Sequence, residues 1–226
     1  MYRLAPSLLA ADFKNLGREI GLIESAGAHY LHFDVMDGVF VNNISFGPPV
    51  MKSIRGASNL VFDAHLMIVD PERYIEAFAE AGADIINVHA EACTELMGVL
   101  RKIRALGRSP AVTVKPGTGI ETIYDALPEA DMVLIMSVEP GFGGQKLLPH
   151  TLRKAETLAE HISAHGYKTE IEMDGGIYLS NARDIISAGV NILVAGSSVF
   201  GAVDIAGAVK SFYDIFKEIP HNPIFT

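Results

Sequence analysis

The feature that most constrains the fold is an alternation of short apolar runs with longer amphipathic stretches along the whole chain. The short runs have the length and composition of buried strands, and the stretches between them carry apolar residues at helical spacing. This order is typical of strand and crossover-helix units, which build parallel sheets. We predict eight strands, at residues 4–9, 30–34, 61–66, 85–89, 111–114, 132–136, 170–174 and 192–195.

Capping residues place two of the predicted helices. Asp12 is expected to cap the start of the first helix and Gly27 to end it, and Pro71 is expected to open the helix before the fourth strand. No linker or change of composition divides the chain, so eight parallel strands most simply close into one barrel. We therefore predict an α/β chain with a single (β/α)8 TIM barrel, and residues 1–226 as one catalytic domain. An open doubly wound sheet is the alternative.

Composition excludes several classes of partner. The net charge of −9 leaves no basic surface for nucleic acid or an anionic membrane, and no apolar stretch is long enough to span a bilayer. Cys93 is the single cysteine, and the first residues show no basic, apolar leader. We expect a cytoplasmic protein, without nucleic acid or membrane partners, that forms a homo-oligomer.

Imidazoles and carboxylates cluster where predicted strands end. His32 and Asp34 are two residues apart and therefore share one face of the second strand, while His65 ends the third strand and Asp174 the seventh. In a parallel barrel these ends meet at one mouth, and two nitrogen and two oxygen ligands suit Zn, Fe, Mn or Co. The alternative is that each is a satisfied polar group at a strand end. Asp37 is expected to order a turn.

Glycine-rich loops follow the last three predicted strands. They read "EPGFGGQ", "DGGI" and "AGSSVF", and the last two loops form the usual phosphate site of this fold, where backbone N–H groups and a short helix N-terminus meet the anion. The alternative is that these glycines only make tight turns. The expected phosphate cradle is Gly175, Gly176, Gly196 and Ser197.

Methionines also lie at or near the ends of predicted strands. Met36, Met67, Met136 and Met173 would give the mouth a dry, adaptable lining, and core packing is the alternative role. We expect Met36, Met67 and Met136 to shield a reaction intermediate from water.

Together these motifs resemble the ribulose-phosphate 3-epimerase family. The segments that carry the resemblance run from about residue 4 to residue 217 and include "HFDVMDGVFVNNISFGPPVMKSIR", "AHLM", "MSVEPGFGGQ", "EMDGGI" and "VAGSSVFG". The resemblance implies that His32, Asp34, His65 and Asp174 hold one divalent metal ion, with Asp34 as base and Asp174 as acid on a phosphorylated ketose. It also implies substrate contacts for the following residues: Ser7, His65, Gly141, Phe142, Gly143, Gly144, Gly175, Gly176, Gly196 and Ser197.

The chain departs from the family's usual motifs at a few loop positions. Val39 and Asn42 stand where the family more often has "DGHFVPN", Lys115 stands in "KPGT" where "NP.T" is common, and Glu139 replaces an asparagine. The fifth and sixth strands are neighbours, which suggests the hypothesis that Lys115 and Glu139 form an ion pair at the rim. Two independent solvated charges are the alternative.

Three functional interpretations remain open beside a non-catalytic sugar-phosphate sensor. The first is 3-epimerisation of ribulose 5-phosphate to xylulose 5-phosphate. The second is 3-epimerisation of a 2-ketohexose 6-phosphate such as allulose 6-phosphate. The third is a phosphosugar decarboxylase or lyase on a related barrel, against which "HFDVMDG" counts because it lacks the lysine of a DxKxxD strand.

Overall fold

The computed structural model describes residues 1–220 and shows eight parallel strands in one sheet. The strands are β1 (Arg3–Pro6), β2 (Tyr30–Met36), β3 (Val61–Met67), β4 (Ile85–His89), β5 (Ser109–Val114), β6 (Met132–Met136), β7 (Glu170–Asp174) and β8 (Ile192–Ala195). Their order is β1-β8-β7-β6-β5-β4-β3-β2, and a parallel bridge between Ser7 and His32 joins the two outer strands. The predicted (β/α)8 barrel is confirmed. The assignment of residues 1–226 to one domain stays a prediction, because 221–226 lie outside the described residues.

Helices cover the outside of the barrel. The α-helices are α1 (Leu16–Ser25), α2 (Pro48–Arg55), α3 (Ile75–Ala81), α4 (Leu96–Ala105), α5 (His150–His165), α6 (Ala182–Ser187), α7 (Ser197–Phe200) and α8 (Ile205–Glu218). Between β5 and β6 the crossover is a 3-10 helix, Ile120–Glu129. Within residues 1–220, no helix combines the length and apolar character needed to cross a membrane.

Two predicted boundaries near the start of the chain were wrong. β1 stops at Pro6, because the Ser7 hydroxyl accepts the Leu9 N–H and the chain turns into the 3-10 helix Leu8–Ala10. Asp12 does not cap α1; its carboxylate accepts from the Lys14 N–H and the Asn15 amide in a turn before the helix.

Of the two other predicted helix boundaries, the one at Gly27 is confirmed and the one at Pro71 was wrong in part. Gly27 follows α1 with φ at 102°, and its N–H reaches Glu24 O, as predicted for a helix end. The prediction for Pro71 was wrong in part, because Pro71 opens only the 3-10 helix Pro71–Arg73, and α3 begins later, at Ile75.

The two faces of each strand have different surroundings. On β2, Leu31, Phe33 and Val35 face the helices and join the large apolar core between sheet and helix layer, whereas His32 and Asp34 face the barrel interior. The interior is closed at its N-terminal end by a separate apolar layer that contains Ala5, Tyr30, Ile85, Ala111, Met132, Ile192 and Val194. The polar side chains of the interior therefore lie above an apolar floor, toward the C-terminal ends of the strands.

We predict that Phe33→Ala lowers the free energy of unfolding by about 3–5 kcal/mol, because it leaves a cavity in a packed core. Phe33 is 0% exposed, and its ring lies 4.9 Å from the Phe62 ring, centroid to centroid. Urea denaturation followed by circular dichroism measures the loss. Val203→Ala, at a fully exposed position, is the control and should change stability by less than about 0.5 kcal/mol. Equal stability of the two variants would contradict the packing described.

Candidate active site

Four side chains from three strands converge at the C-terminal end of the barrel. One ligand atom from each of His32, Asp34, His65 and Asp174 lies within 4.8 Å of the others. His32 Nε2 is 3.3 Å from His65 Nδ1, and each of these nitrogens is 3.5 Å from Asp34 Oδ1. Asp174 Oδ2 lies 4.0 Å from His32 Nε2 and 3.9 Å from His65 Nδ1. The structure thus brings together the four residues that the sequence predicts as metal ligands.

The electrostatics of this cluster favour bound positive charge. Burial disfavours a charged imidazole, but the carboxylates of Asp63 and Asp34 outweigh it and raise the pKa of His32 well above its usual value. Burial also opposes ionisation of Asp34, but His32 and His65 lower the Asp34 pKa far below its usual value. The donor set of two imidazoles and two carboxylates around one point fits a divalent cation of the Zn, Fe, Mn or Co class.

The pKa of Asp174 is shifted in the opposite direction to that of Asp34. Burial, and then the negative charge of Asp34, raise the pKa of Asp174 to about 7. Two carboxylates that face one site do not ionise equally, and without a bound cation Asp174 gives up its proton less readily than Asp34. The two carboxylates therefore differ in proton affinity. β2 and β7 are separated by β1 and β8 on one side and by four strands on the other.

Ser7 fixes the position of Asp34. Its hydroxyl donates to Asp34 Oδ2 at 2.5 Å, and its backbone forms the bridge to His32 that joins β1 to β2. Ser7 was expected to contact substrate, and it does line the cavity above the cluster. Its hydroxyl also orients the proposed base.

A second layer of polar residues below the cluster was missed by the sequence analysis. His32 Nδ1 lies 2.6 Å from Asp63 Oδ2, and Asp63 and Glu172 are both fully buried. Burial and the neighbouring Asp63 charge raise the pKa of Glu172 well above its usual value. The signal was available, because Asp63 and His65, like Glu172 and Asp174, are two residues apart and share the inner face of their strands.

A cavity of about 350 Å³ opens above the cluster. Its lining includes the following residues that were predicted as catalytic, substrate-contacting or shielding: Ser7, Asp34, Met36, Met67, Met136, Gly141, Phe142, Gly143, Gly144, Asp174, Gly175, Gly176, Gly196 and Ser197. His65, also expected to contact substrate, is 0% exposed and lies beneath this lining. Met173 points away from the mouth into the core between sheet and helices.

Tyr178 and Gln145 are among the lining residues that were not predicted. The Tyr178 hydroxyl lies 3.5 Å from the Ser197 hydroxyl, beside the expected phosphate cradle. Gln145 donates its amide N–H groups to the carbonyls of Glu139 and Phe142 and so holds the glycine-rich loop after β6 in a compact turn. Gln145 ends the recognised "EPGFGGQ" motif and Tyr178 directly follows "DGGI", but neither side-chain type by itself indicates a site.

The loop between β2 and α2 closes one side of the mouth. As predicted, Asp37 orders this turn: its carboxylate accepts the backbone N–H groups of Val39, Phe40 and Val69. Farther along the loop, the Asn43 amide donates to Gly141 O at 2.8 Å. The loop therefore joins the end of β3 to the glycine-rich loop after β6.

The hypothesis of a Lys115–Glu139 ion pair does not describe this structure. Lys115 Nζ lies 3.8 Å from the centroid of the Phe40 ring, a cation–π contact, and Glu139 lines the cavity. None of the salt bridges found within residues 1–220 joins the two side chains. Lys115 thus packs against the loop after β2.

Comparison with solved structures identifies the fold. The chain matches a structure of KGPDC from Streptococcus mutans with a TM-score of 0.77, at 15% identity, over 96% of this chain and 98% of that one. It matches a 3-hexulose-6-phosphate synthase with a TM-score of 0.69, at 18% identity, over 95% of this chain and 99% of that one. At such low identity these likenesses show the barrel alone.

Sequence comparison is more specific. A sequence model described as the ribulose-phosphate 3 epimerase family matches residues 3–200. The chain is 46% identical to the ribulose-phosphate 3-epimerase of Synechocystis sp. over 91% of this chain and 90% of that protein. It is 45% identical to the ribulose-phosphate 3-epimerase of Bacillus subtilis over 93% of this chain and 97% of that protein. A match of this length and identity shows that the chain belongs to the ribulose-phosphate 3-epimerase family.

Proposed function

We propose that this protein is an isomerase that interconverts D-ribulose 5-phosphate and D-xylulose 5-phosphate. The observation that carries the proposal is the pair of carboxylates, Asp34 and Asp174, that face one point from separate strands beside two imidazoles. Inversion at C3 needs a proton removed from one face of the carbon and another delivered to the opposite face. The names of the relatives supply the substrate, since the aligned proteins of Synechocystis and Bacillus subtilis are both ribulose-phosphate 3-epimerases.

In the proposed reaction, one aspartate removes the C3 proton and the other delivers a proton to C3. For ribulose 5-phosphate, Asp34 accepts the C3 proton, and the electron pair of the broken C–H bond moves toward the C2 carbonyl to give a planar enediolate. Asp174 then gives a proton to the opposite face of C3, and the roles reverse for xylulose 5-phosphate. Ser7 keeps the accepting carboxylate in place through its hydrogen bond to Asp34 Oδ2.

His32, Asp34, His65 and Asp174 would hold a divalent ion, which would supply positive charge to stabilise the negative charge of the enediolate. The two imidazoles and two carboxylates fit such an ion, as their convergence and the raised pKa of His32 indicate. Met36, Met67 and Met136 line the cavity above this point, and we propose that they exclude water from the intermediate.

The phosphate is proposed to lie against the loops after β7 and β8. Gly175, Gly176, Gly196 and Ser197 line the cavity there, and both Gly175 and Gly176 have positive φ. Among residues 1–220, no lysine or arginine lines the cavity. In a chain with a net charge of −9, the phosphate would therefore be held by backbone N–H groups and hydroxyls.

Removing the metal should abolish activity, because enolisation would lose its electrostatic stabilisation. The test treats the protein with a chelator, confirms by elemental analysis that no metal remains, and assays ribulose 5-phosphate epimerisation. Adding back Zn, Fe, Mn or Co one at a time should restore turnover and rank the metals. Full activity of the metal-free protein would contradict the metal role.

The phosphate site is best tested at Gly196. An added Cβ there would lie 3.3 Å from Ala10 Cβ and would narrow the cavity, whereas a Cβ at Gly176 would meet the backbone of Gln145 and Leu147 and displace the loop. We predict that Gly196→Ala raises the KM for ribulose 5-phosphate about tenfold or more, as expected for lost hydrogen bonds to a charged group, and weakens inhibition by inorganic phosphate.

Gly21→Ala is the control for that experiment. Gly21 lies on α1, where an added Cβ has no heavy atom within 4 Å, and the change should leave both constants unaltered. Equally efficient turnover of free ribulose and of ribulose 5-phosphate by the native protein would contradict the proposed phosphate site.

The two aspartates should act as separate acid and base. Asp34→Asn and Asp174→Asn should each lower kcat by about 10²- to 10⁴-fold, the usual contribution of a proton-transferring group, whereas exposed Asp125→Asn should have no effect. In heavy water, the first turnovers of the native enzyme should place deuterium at C3 of the product. Product that keeps its original C3 hydrogen would instead indicate a single shielded base.

A further inference from the structure

Behind His65, a line of side chains leads from the proposed metal site through buried His89 to Glu91 at the surface. His65 Nε2 lies 3.0 Å from His89 Nε2, and His89 Nδ1 lies 3.3 Å from Glu91 Oε2. His89 ends β4 and is 0% exposed, and Glu91 lies in the short 3-10 helix Ala90–Ala92 that follows. Neither His89 nor Glu91 faces the cavity, and the proposed reaction assigns them no role.

Glu91 is held as an acceptor of hydrogen bonds on both oxygens. Its Oε1 accepts the Lys115 backbone N–H at 2.8 Å and the Thr118 hydroxyl at 2.5 Å, which leaves Oε2 for His89. Burial opposes ionisation, but these hydrogen bonds outweigh it and lower the pKa of Glu91 to about 2. Glu91 is therefore a carboxylate near neutrality and has no proton to donate.

The carboxylate of Glu91 determines the direction of the hydrogen bonds that link Glu91, His89 and His65. A neutral imidazole carries one N–H and one lone pair, and His89 has one partner at each ring nitrogen, His65 at Nε2 and Glu91 at Nδ1. Because Glu91 only accepts, the His89 proton lies on Nδ1, and His89 Nε2 presents a lone pair to His65. His65 then carries its own proton on Nε2, and its Nδ1 lone pair faces Asp34 and Asp174.

From this geometry we propose that Glu91 is a positioning residue which, through His89, sets the tautomer of His65 so that Nδ1 is free to bind a cation. The inference rests on the proposed function, since it assumes that His65 is a metal ligand. It extends that proposal to two residues on β4 and its following turn. Outer partners of this kind orient metal-binding histidines and typically alter metal affinity by about 10- to 100-fold.

Glu91→Gln tests the proposal with almost no change of shape. The fixed Lys115 N–H and the Thr118 hydroxyl both need an acceptor, so the glutamine should turn its carbonyl oxygen toward them and its NH₂ group toward His89. His89 Nδ1 would then have to accept, its proton would move to Nε2, and His65 would be left with a proton on Nδ1. That proton would point into the metal site.

The primary readout is the affinity for Co²⁺, measured by competition with a chromophoric chelator and without any assay of turnover. E91Q should bind Co²⁺ about 10- to 100-fold more weakly than the native protein, while its thermal unfolding and circular dichroism stay native. Glu80→Gln, an exposed change on α3, is the matched control and should bind as the native protein does. Glu91→Asp, which keeps an acceptor, should bind more tightly than E91Q.

The second readout is ¹⁵N NMR of the histidine rings in metal-free protein. The His89 proton should be found on Nδ1 in the native chain and on Nε2 in E91Q. Native-like Co²⁺ affinity in E91Q, or a native His89 that carries its proton on Nε2, would overturn the role of Glu91 and leave the proposed function intact. A native protein that binds no Co²⁺ would overturn the metal role on which the inference rests.

Discussion

Closure of the barrel between β1 and β2 is the constraint on which the site depends. Eight parallel strands end at a common rim, but the rim becomes a ring only where Ser7 pairs with His32. The residue that closes the sheet also donates its hydroxyl to Asp34. Ser7 therefore both pairs β1 with β2 and positions Asp34, the proposed base. A change that broke this pairing would also misplace the Asp34 carboxylate.

The interior of the barrel holds several buried carboxylates close together. Asp34, Asp63 and Glu172 are buried among apolar strands, a placement that is costly unless each charge is neutralised or paired. The structure combines three ways of meeting that cost: a raised His32 pKa, a raised Glu172 pKa, and a cluster of ligands that suits a divalent cation. The apolar layer at the opposite end of the interior keeps this charge close to the mouth, beneath the cavity.

Much of this arrangement could be predicted from the sequence, and the remainder could not for physical reasons. The strands and the convergence of His32, Asp34, His65 and Asp174 follow from alternation and from the common rim of a parallel barrel. The start of α1 at Leu16 could not be predicted, because Asp12 accepts hydrogen bonds in a local turn instead of capping the helix. The contact of Lys115 with Phe40, and the line from Glu91 to His65, depend on side-chain directions between separate loops and strands, which spacing alone does not determine.

A direct comparison of substrates tests whether the proposed active site at the barrel mouth epimerises a phosphorylated pentulose. Purified, metal-loaded protein would be assayed side by side with ribulose 5-phosphate and allulose 6-phosphate, and product would be identified by its configuration at C3. We expect xylulose 5-phosphate as product, with a kcat/KM for ribulose 5-phosphate well above that for allulose 6-phosphate. Preferred turnover of allulose 6-phosphate, or no turnover of ribulose 5-phosphate, would contradict this expectation.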